Sequence, residues 1–178
     1  MVGHLSKSSV ETMKRDEKKV LDVLEQHAKE SVDEIAKRCC FSRQKVWRII
    51  KNLEENKIIW GYSAIADGES RDLKHYILLV KRNTVPFDAS FKKELVFNKL
   101  DDYLPDLVKI ENIYLTHGGF DGVVTFYTTD LINAKKFIQE LSKKIGKYFE
   151  VYLLLETLFP MRKQGLKNPQ IKELVDYF

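Results

Sequence analysis

Residues 31–55 read SVDEIAKRCCFSRQKVWRIIKNLEE, and the organisation of the first half of the chain follows from them. Ser31 and Glu34 have the S-x-x-E spacing of a capping box, and Val32, Ile35 and Ala36 supply the apolar face of a short helix behind it. Cys39, Cys40 and Phe41 leave room for no more than a turn. Ser42 then caps a further helix, on which Val46, Ile49, Ile50 and Leu53 fall along one face. Upstream, Val20, Leu21, Val23 and Leu24 keep a helical period over about residues 16–28. Three helices with a tight turn between the second and third make a helix-turn-helix. Residues 57–64 read as extended, and a hairpin at that place would give the winged version of the motif. Residues 1–15, polar and rich in Ser and Lys, are expected to be a loose arm.

The third helix can be rotated at about 100° per residue. With Val46, Ile49, Ile50 and Leu53 turned inward, Gln44, Arg48, Lys51 and Glu55 occupy the opposite arc, and Lys45 and Trp47 the flanks. Residues 42–53 contain Arg43, Lys45, Arg48 and Lys51 and no acid, the charge footprint of a nucleic-acid binder. Gln44 and Arg48 can reach base edges, since glutamine pairs bidentately with adenine and arginine with guanine. Arg43, Lys45 and Lys51 suit phosphates, which give affinity and register without sequence information. Ser42, Arg43, Gln44, Lys45, Trp47, Arg48 and Lys51 are therefore the candidate contacts to double-stranded DNA. Trp47 has a competing role, because a flank aromatic more often packs on the neighbouring helix. Trp60 is expected to be structural, at the hinge between the two halves.

The whole chain of 178 residues is mildly basic, with a formal net charge of +4. Residues 1–64 hold net +3 of it and the remainder net +1. Hydrophobic residues at 44% and charged residues at 31% fit a soluble globular protein and exclude a disordered or collagen-like one. No apolar stretch approaches the ~20 residues that cross a bilayer, and no basic start with an apolar run suggests a leader, so a cytoplasmic protein without a membrane partner is expected. The adjacent Cys39 and Cys40 can form neither a disulfide framework nor a zinc site, so no metal and no cofactor is expected.

Residues 66–72, ADGESRD, read as a linker. Beyond it, residues 76–80 form an apolar strand, and a helical stretch follows residues 86–88 and ends near Pro105. Residues 107–116 and 120–128 are strand-like and joined across Gly118-Gly119, a pair suited to a primed hairpin turn with positive φ. Asp130 opens another helix through Ile145, and residues 148–159 form a last strand. The order β-α-β-β-α-β is the ferredoxin-like arrangement. The fold class is thus α+β: a winged helix-turn-helix at residues 1–65, a linker at 66–74, a ferredoxin-like domain at 75–160 and an extension at 161–178. In that extension Asn168-Pro169 is expected to cap a short helix burying Ile171, Leu174, Val175 and Phe178.

Residues 41–64, FSRQKVWRIIKNLEENKIIWGYSA, resemble the helix-turn-helix signature of the Lrp/AsnC (feast/famine) transcription regulators. The matching features are the Ser cap, the Val46/Ile50/Leu53 spacing, Leu53-Glu54, Ile58-Ile59 and the Gly61-Tyr62-x-Ala64 ending. The second half is similar to that family's ligand-sensing domain, and His117-Gly118-Gly119-Phe120-Asp121 to its Gly-x-aromatic-Asp turn. The resemblance covers roughly residues 16–160. It implies a sequence-specific regulator dimerising through the sheet of the second domain, often assembled further into tetramers or octamers. It also implies a small effector, usually an amino acid, at Gly118, Gly119, Phe120 and Asp121, with glycine N–H groups facing a carboxylate and Asp121 facing an amino group. A Gly-Gly hairpin needs no ligand to explain it, so that assignment has a purely structural rival.

The sequence departs from the family at Cys40 and Lys57, where glycine is usual, so either turn could differ and Asn56 could take a left-handed cap in place of Lys57. Ile49 stands where an arginine is common, and the last strand is more aliphatic than usual, which weakens the amino-acid expectation. The extension is expected to add oligomer contacts. Two other classes remain open at this point. One is a siroheme decarboxylase of the same architecture, although His4, His27, His75 and His117 are scattered and only His117 adjoins the candidate turn. The other is an architectural DNA binder, which the near-neutral second half disfavours.

Overall fold

The structure is a computed structural model that describes residues 7–96, 105–172 and 175. It divides into two compact units, one made of residues Met1–Ile65 with Met161–Phe178 and the other of Ala66–Pro160. Among the described residues, no helix is long and apolar enough to cross a membrane.

The first unit holds α1 (Lys7–His27), α2 (Val32–Cys39) and α3 (Arg43–Glu55). Helix α1 begins nine residues earlier than the apolar periodicity suggests, so residues 7–15 are helical and not a loose arm. Residues 11–15 are exposed, so the helix has no buried face over that stretch and no apolar period to betray it. At α2 the capping box forms as read: Ser31 Oγ accepts from the Glu34 N–H, and Glu34 Oε2 accepts from the Ser31 N–H at 2.8 Å. Ser42 caps α3 by accepting the Lys45 N–H. The three helices share a core of Val20, Leu24, Ile35, Ala36, Cys39, Val46, Ile49 and Leu53. Burial raises the pKa of the Cys39 thiol, whose Sγ lies 3.9 Å from the Lys19 carbonyl, so it packs as a small neutral hydrophobe.

Both α2 and α3 end in Schellman motifs. After α2, Cys40 N–H donates to Lys37 O and Phe41 N–H to Ala36 O; after α3, Lys57 N–H donates to Glu54 O and Ile58 N–H to Leu53 O. Cys40 at φ 52° and Lys57 at φ 58° therefore occupy the left-handed position themselves. The turns do not differ from the glycine-bearing pattern, and Asn56, at φ −81°, is not the left-handed cap. The hydrogen-bonding pattern of the helix end dictates the conformation, and the side chain bears the strain. Residues 57–67 run on without entering any ladder, so no β-hairpin follows α3.

The second unit has the order β1 (Lys74–Arg82), α4 (Ala89–Val96), β2 (Lys109–Leu115), β3 (Gly122–Thr128), α5 (Leu131–Ile145) and β4 (Phe149–Glu156). Residues 97–104, which include the expected end of the first helix, lie outside the described residues. The strands form one antiparallel sheet in the order β2-β3-β1-β4. Asp130 caps α5 by accepting the Asn133 N–H at 2.8 Å, which lowers its pKa. On one face Tyr76, Leu78, Val80, Val124 and Phe126 pack with Phe91, Ala134, Phe137 and Leu141 into a second core. The register then fixes the other face, because side chains alternate along a strand. It carries rows Val123–Leu79–Leu153 and Thr125–Ile77–Leu155. Leu153 and Leu155 are 43% and 44% exposed.

The tail differs from expectation. Residues 161–172 hold a small antiparallel hairpin of β5 (Arg162–Lys163) and β6 (Leu166–Lys167), and no α-helix follows Pro169 among the described residues. Val175 is exposed rather than buried, and Ile171 is half-buried. Leu174 and Phe178 lie outside the described residues.

The strained caps generate the first prediction. Cys40→Gly and Lys57→Gly should each raise stability by up to about 1 kcal/mol, because glycine takes the left-handed conformation without a Cβ clash. Thermal or denaturant unfolding measures this, and a loss of stability on both changes would contradict it.

Candidate nucleic-acid interface

Helix α3 is held with Val46, Ile49 and Leu53 buried and Ile50 half-buried against α1 and α2. Its rotation is fixed by these contacts, and the outward arc follows. Arg43, Gln44, Trp47, Arg48 and Lys51 are exposed, as is the capping Ser42. Trp47 is 56% exposed and does not pack on a neighbouring helix; the Lys51 ammonium lies 5.4 Å from its ring centroid.

The cations of this arc are not equivalent. Lys45 is half-buried, its Nζ 2.7 Å from Asp16 Oδ2 and 3.9 Å from the Phe41 ring centroid. It is thus already neutralised and stapled to α1. Arg43 lies 3.5 Å from Asp33, and Lys51 3.7 Å from Glu55, both as exposed pairs that water and salt weaken. Arg48 has no carboxylate within ion-pair distance among the described residues. The helix has no acid in its first turn, so its N-terminal N–H groups, the positive end of its dipole and Arg43 point the same way electrostatically.

Residues 17–59 match the winged helix-turn-helix DNA-binding family. Over 124 residues the chain is 23% identical to the uncharacterised HTH-type transcriptional regulator YugG of Bacillus subtilis, covering 70% of this chain and 72% of YugG. In structure it is similar to an AsnC family transcriptional regulator from Agrobacterium tumefaciens, with a TM-score of 0.65, 19% identity and 89% and 97% of the two chains covered. It is likewise similar to a feast or famine regulatory protein from M. tuberculosis complexed with L-methionine, with a TM-score of 0.67, 15% identity and 88% and 99% covered. The chain carries a helix-turn-helix of a DNA-binding family and has the fold of the Lrp/AsnC regulators. These relatives are named as regulators and not as enzymes.

The regulator's candidate effector turn lies in the second unit. Six residues, Thr116 to Asp121, connect β2 and β3, since Leu115 pairs with Gly122. Only Gly118 has a positive φ there, 147°, so the connection is not a two-residue primed turn. Thr116 N–H donates to Asp121 O and Thr116 Oγ to Phe120 O, closing the loop on itself. Asp121 Oδ2 accepts the Arg82 N–H at 2.9 Å, and Asp121 N–H donates to Val80 O. One carboxylate oxygen is therefore occupied in tying the turn to the end of β1. Gly118 and Gly119 are open to solvent with nothing near them, and Phe120 is half-buried.

Three features escape the sequence. Trp60 is 95% exposed rather than structural, in a segment that enters no ladder. Tyr62 OH donates to Glu54 Oε1 at 2.9 Å; partial burial and then this carboxylate raise its pKa to about 12, so it stays a neutral donor. On the open face of the sheet a polar group gathers beside the Ile77–Leu155 row. His75 Nδ1 meets Thr157 Oγ1 at 2.6 Å, and its Nε2 meets Glu111 Oε2 at 3.1 Å. Thr125 Oγ1 and Tyr127 OH donate to Glu111 as well. A bulge between Ile110 and Asn112 brings Glu111 there, and bulges leave no periodic trace in sequence.

The orientation of α3 is checked by a pair of substitutions. Trp47→Ala should change stability by no more than ~0.5 kcal/mol, as for surface sites generally. Val46→Ala, one residue away, should cost about 1–2 kcal/mol through loss of buried methyl groups. Equal melting temperatures for the two variants would show that the helix is rotated otherwise.

Proposed function

We propose that the protein is a sequence-specific regulator that places α3 in the major groove of duplex DNA. The observation that carries this is the exposed arc of Gln44, Trp47, Arg48 and Lys51, on which Arg48 has no carboxylate within ion-pair distance among the described residues. Gln44 and Arg48 read base edges, while Arg43, Lys51 and the helix N-terminus around Ser42 hold phosphates. Lys45, held by Asp16, braces α3 and reaches a phosphate only on giving up that bond. The protein acts as a homo-oligomer, at least a dimer, and the family it resembles often assembles further into tetramers or octamers. The open sheet face supports this reading: Ile77, Leu79, Val151, Leu153 and Leu155 form an apolar surface of a kind usually covered. A twofold dimer matches a pseudo-palindromic site, with its half-sites one helical turn, ~34 Å, or a multiple apart.

An amino-acid effector is the second part of the proposal. Its support is the regulator of similar fold that is described in complex with L-methionine. In this reading the exposed N–H groups of Gly118 and Gly119 receive the ligand carboxylate, and Phe120 and the free oxygen of Asp121 face its remaining groups.

Selection of bound fragments from random and genomic duplexes at ~150 mM salt, where weak phosphate-only binding is suppressed, tests the DNA reading. A motif with twofold symmetry is expected; recovery without a motif would point to an architectural role. On the recovered site Arg48→Ala should cost about 1–3 kcal/mol and relax the preference at one position per half-site. Equal loss on random DNA would make Arg48 a phosphate contact. For the effector, Asp121→Asn keeps an oxygen for the Arg82 N–H and removes the charge. Calorimetric titration with L-methionine should lose its heat in this variant while DNA affinity without ligand is unchanged. An unaltered titration would remove the turn from the site.

A further inference from the structure

The family matched by residues 17–59 is a winged one, yet the chain that leaves α3 makes no hairpin: residues 57–67 enter no ladder. The first unit nevertheless contains a hairpin, built from β5 and β6 at the far end of the sequence. Its turn, Gln164-Gly165, has φ 46° and 83°, the positive pair that a two-residue primed turn requires. The turn and Leu166 line a cavity of about 710 Å³ together with Ile58, Trp60 and Tyr62 of the segment that follows α3. A hairpin thus lies beside the chain just downstream of the third helix, the position at which a winged helix-turn-helix has its wing.

The charge of this hairpin is unusual. Arg162 pairs across the strands with Lys167, and both are exposed. Like charges directly opposite each other destabilise a ladder of only two residue pairs. Among the described residues neither side chain has a carboxylate within ion-pair distance; Arg162 Nη1 donates to Gly165 O at 2.9 Å, which steadies it next to the turn. Residues 157–172 also contain Lys163 and Lys172 and no Asp or Glu. Two adjacent cations beside a turn, with no counter-charge among the described residues, are suited to a phosphodiester. The guanidinium can bond both free oxygens and the ammonium adds a point charge.

We propose that the C-terminal hairpin is the wing of the DNA-binding unit, and that Arg162 and Lys167 clamp a backbone phosphate of the duplex that α3 reads. This rests on the DNA reading above and adds a second contact region, remote in sequence from the helix-turn-helix. The contact carries no base information, so its signature differs from that of Arg48.

The test is the salt dependence of binding by the full chain, on the selected duplex and on a random duplex of the same length. Each phosphate contact contributes about 0.9 to the slope of log K against log salt. R162A/K167A should lower the slope by about one per protomer and weaken binding on the order of tenfold at ~150 mM salt, equally on both duplexes. R162K/K167R, which keeps both charges, should retain most of the wild-type slope. If alanine disturbs the turn, as a lowered melting temperature would reveal, R162Q/K167Q reads the same loss with the side-chain length preserved. An unchanged slope in the alanine and glutamine variants overturns the clamp while leaving α3 as the reader. Failure of the wild-type chain to bind any duplex overturns the DNA reading and the clamp together.

Discussion

The burial of Val46, Ile49 and Leu53 in one helical stripe is the constraint from which the chemistry of the first unit follows. Once those three side chains enter the core with Leu24 and Ile35, α3 cannot rotate without exposing them, at a cost of about 1.5–3 kcal/mol for each large aliphatic group. Every polar property of the outer surface is then a matter of phase. Residues 44, 47, 48 and 51 face out because 46, 49 and 53 face in. The same phase leaves Lys45 on the flank, where Asp16 and the Phe41 ring capture it. Of four cations that look alike in sequence, one is thereby withdrawn to brace the fold and two are loosely paired.

The second unit obeys an analogous rule with period two. Tyr76, Leu78 and Val80 go to the helices, and this sends His75, Ile77 and Leu79 to the opposite face. That face is apolar along β1 and β4 and polar around Glu111. Such a division gives the sheet surface two chemically different regions, one of aliphatic side chains and one around the His75–Glu111–Tyr127 group.

What could be read in advance was what is local. The capping box at Ser31 and Glu34, the caps at Ser42 and Asp130, and the β-α-β-β-α-β order are written within a few residues each, and the structure contains them. Asn56 looked the better left-handed residue by propensity, yet the Schellman bonds place Lys57 there, because hydrogen bonding at the end of α3 outweighs one side chain's preference. The Gly118-Gly119 pair suggested a primed turn, but the loop closes through Thr116 and Asp121 and needs only one positive φ. Polar residues 7–15 hid a helix that has no apolar stripe. The tail was the least legible part. Two-residue strands have no detectable period, and their grouping with α1 is set by contacts more than a hundred residues apart.

That grouping has a consequence for the boundaries of the units. The chain leaves the first unit after Ile65 and re-enters it at Met161, so the sheet unit is inserted between two pieces of the other rather than appended to it. Cutting the chain after Pro160 would therefore not trim a free tail: it would strip the helical unit of Gln164, Gly165 and Leu166, which border the same cavity as Ile58, Trp60 and Tyr62.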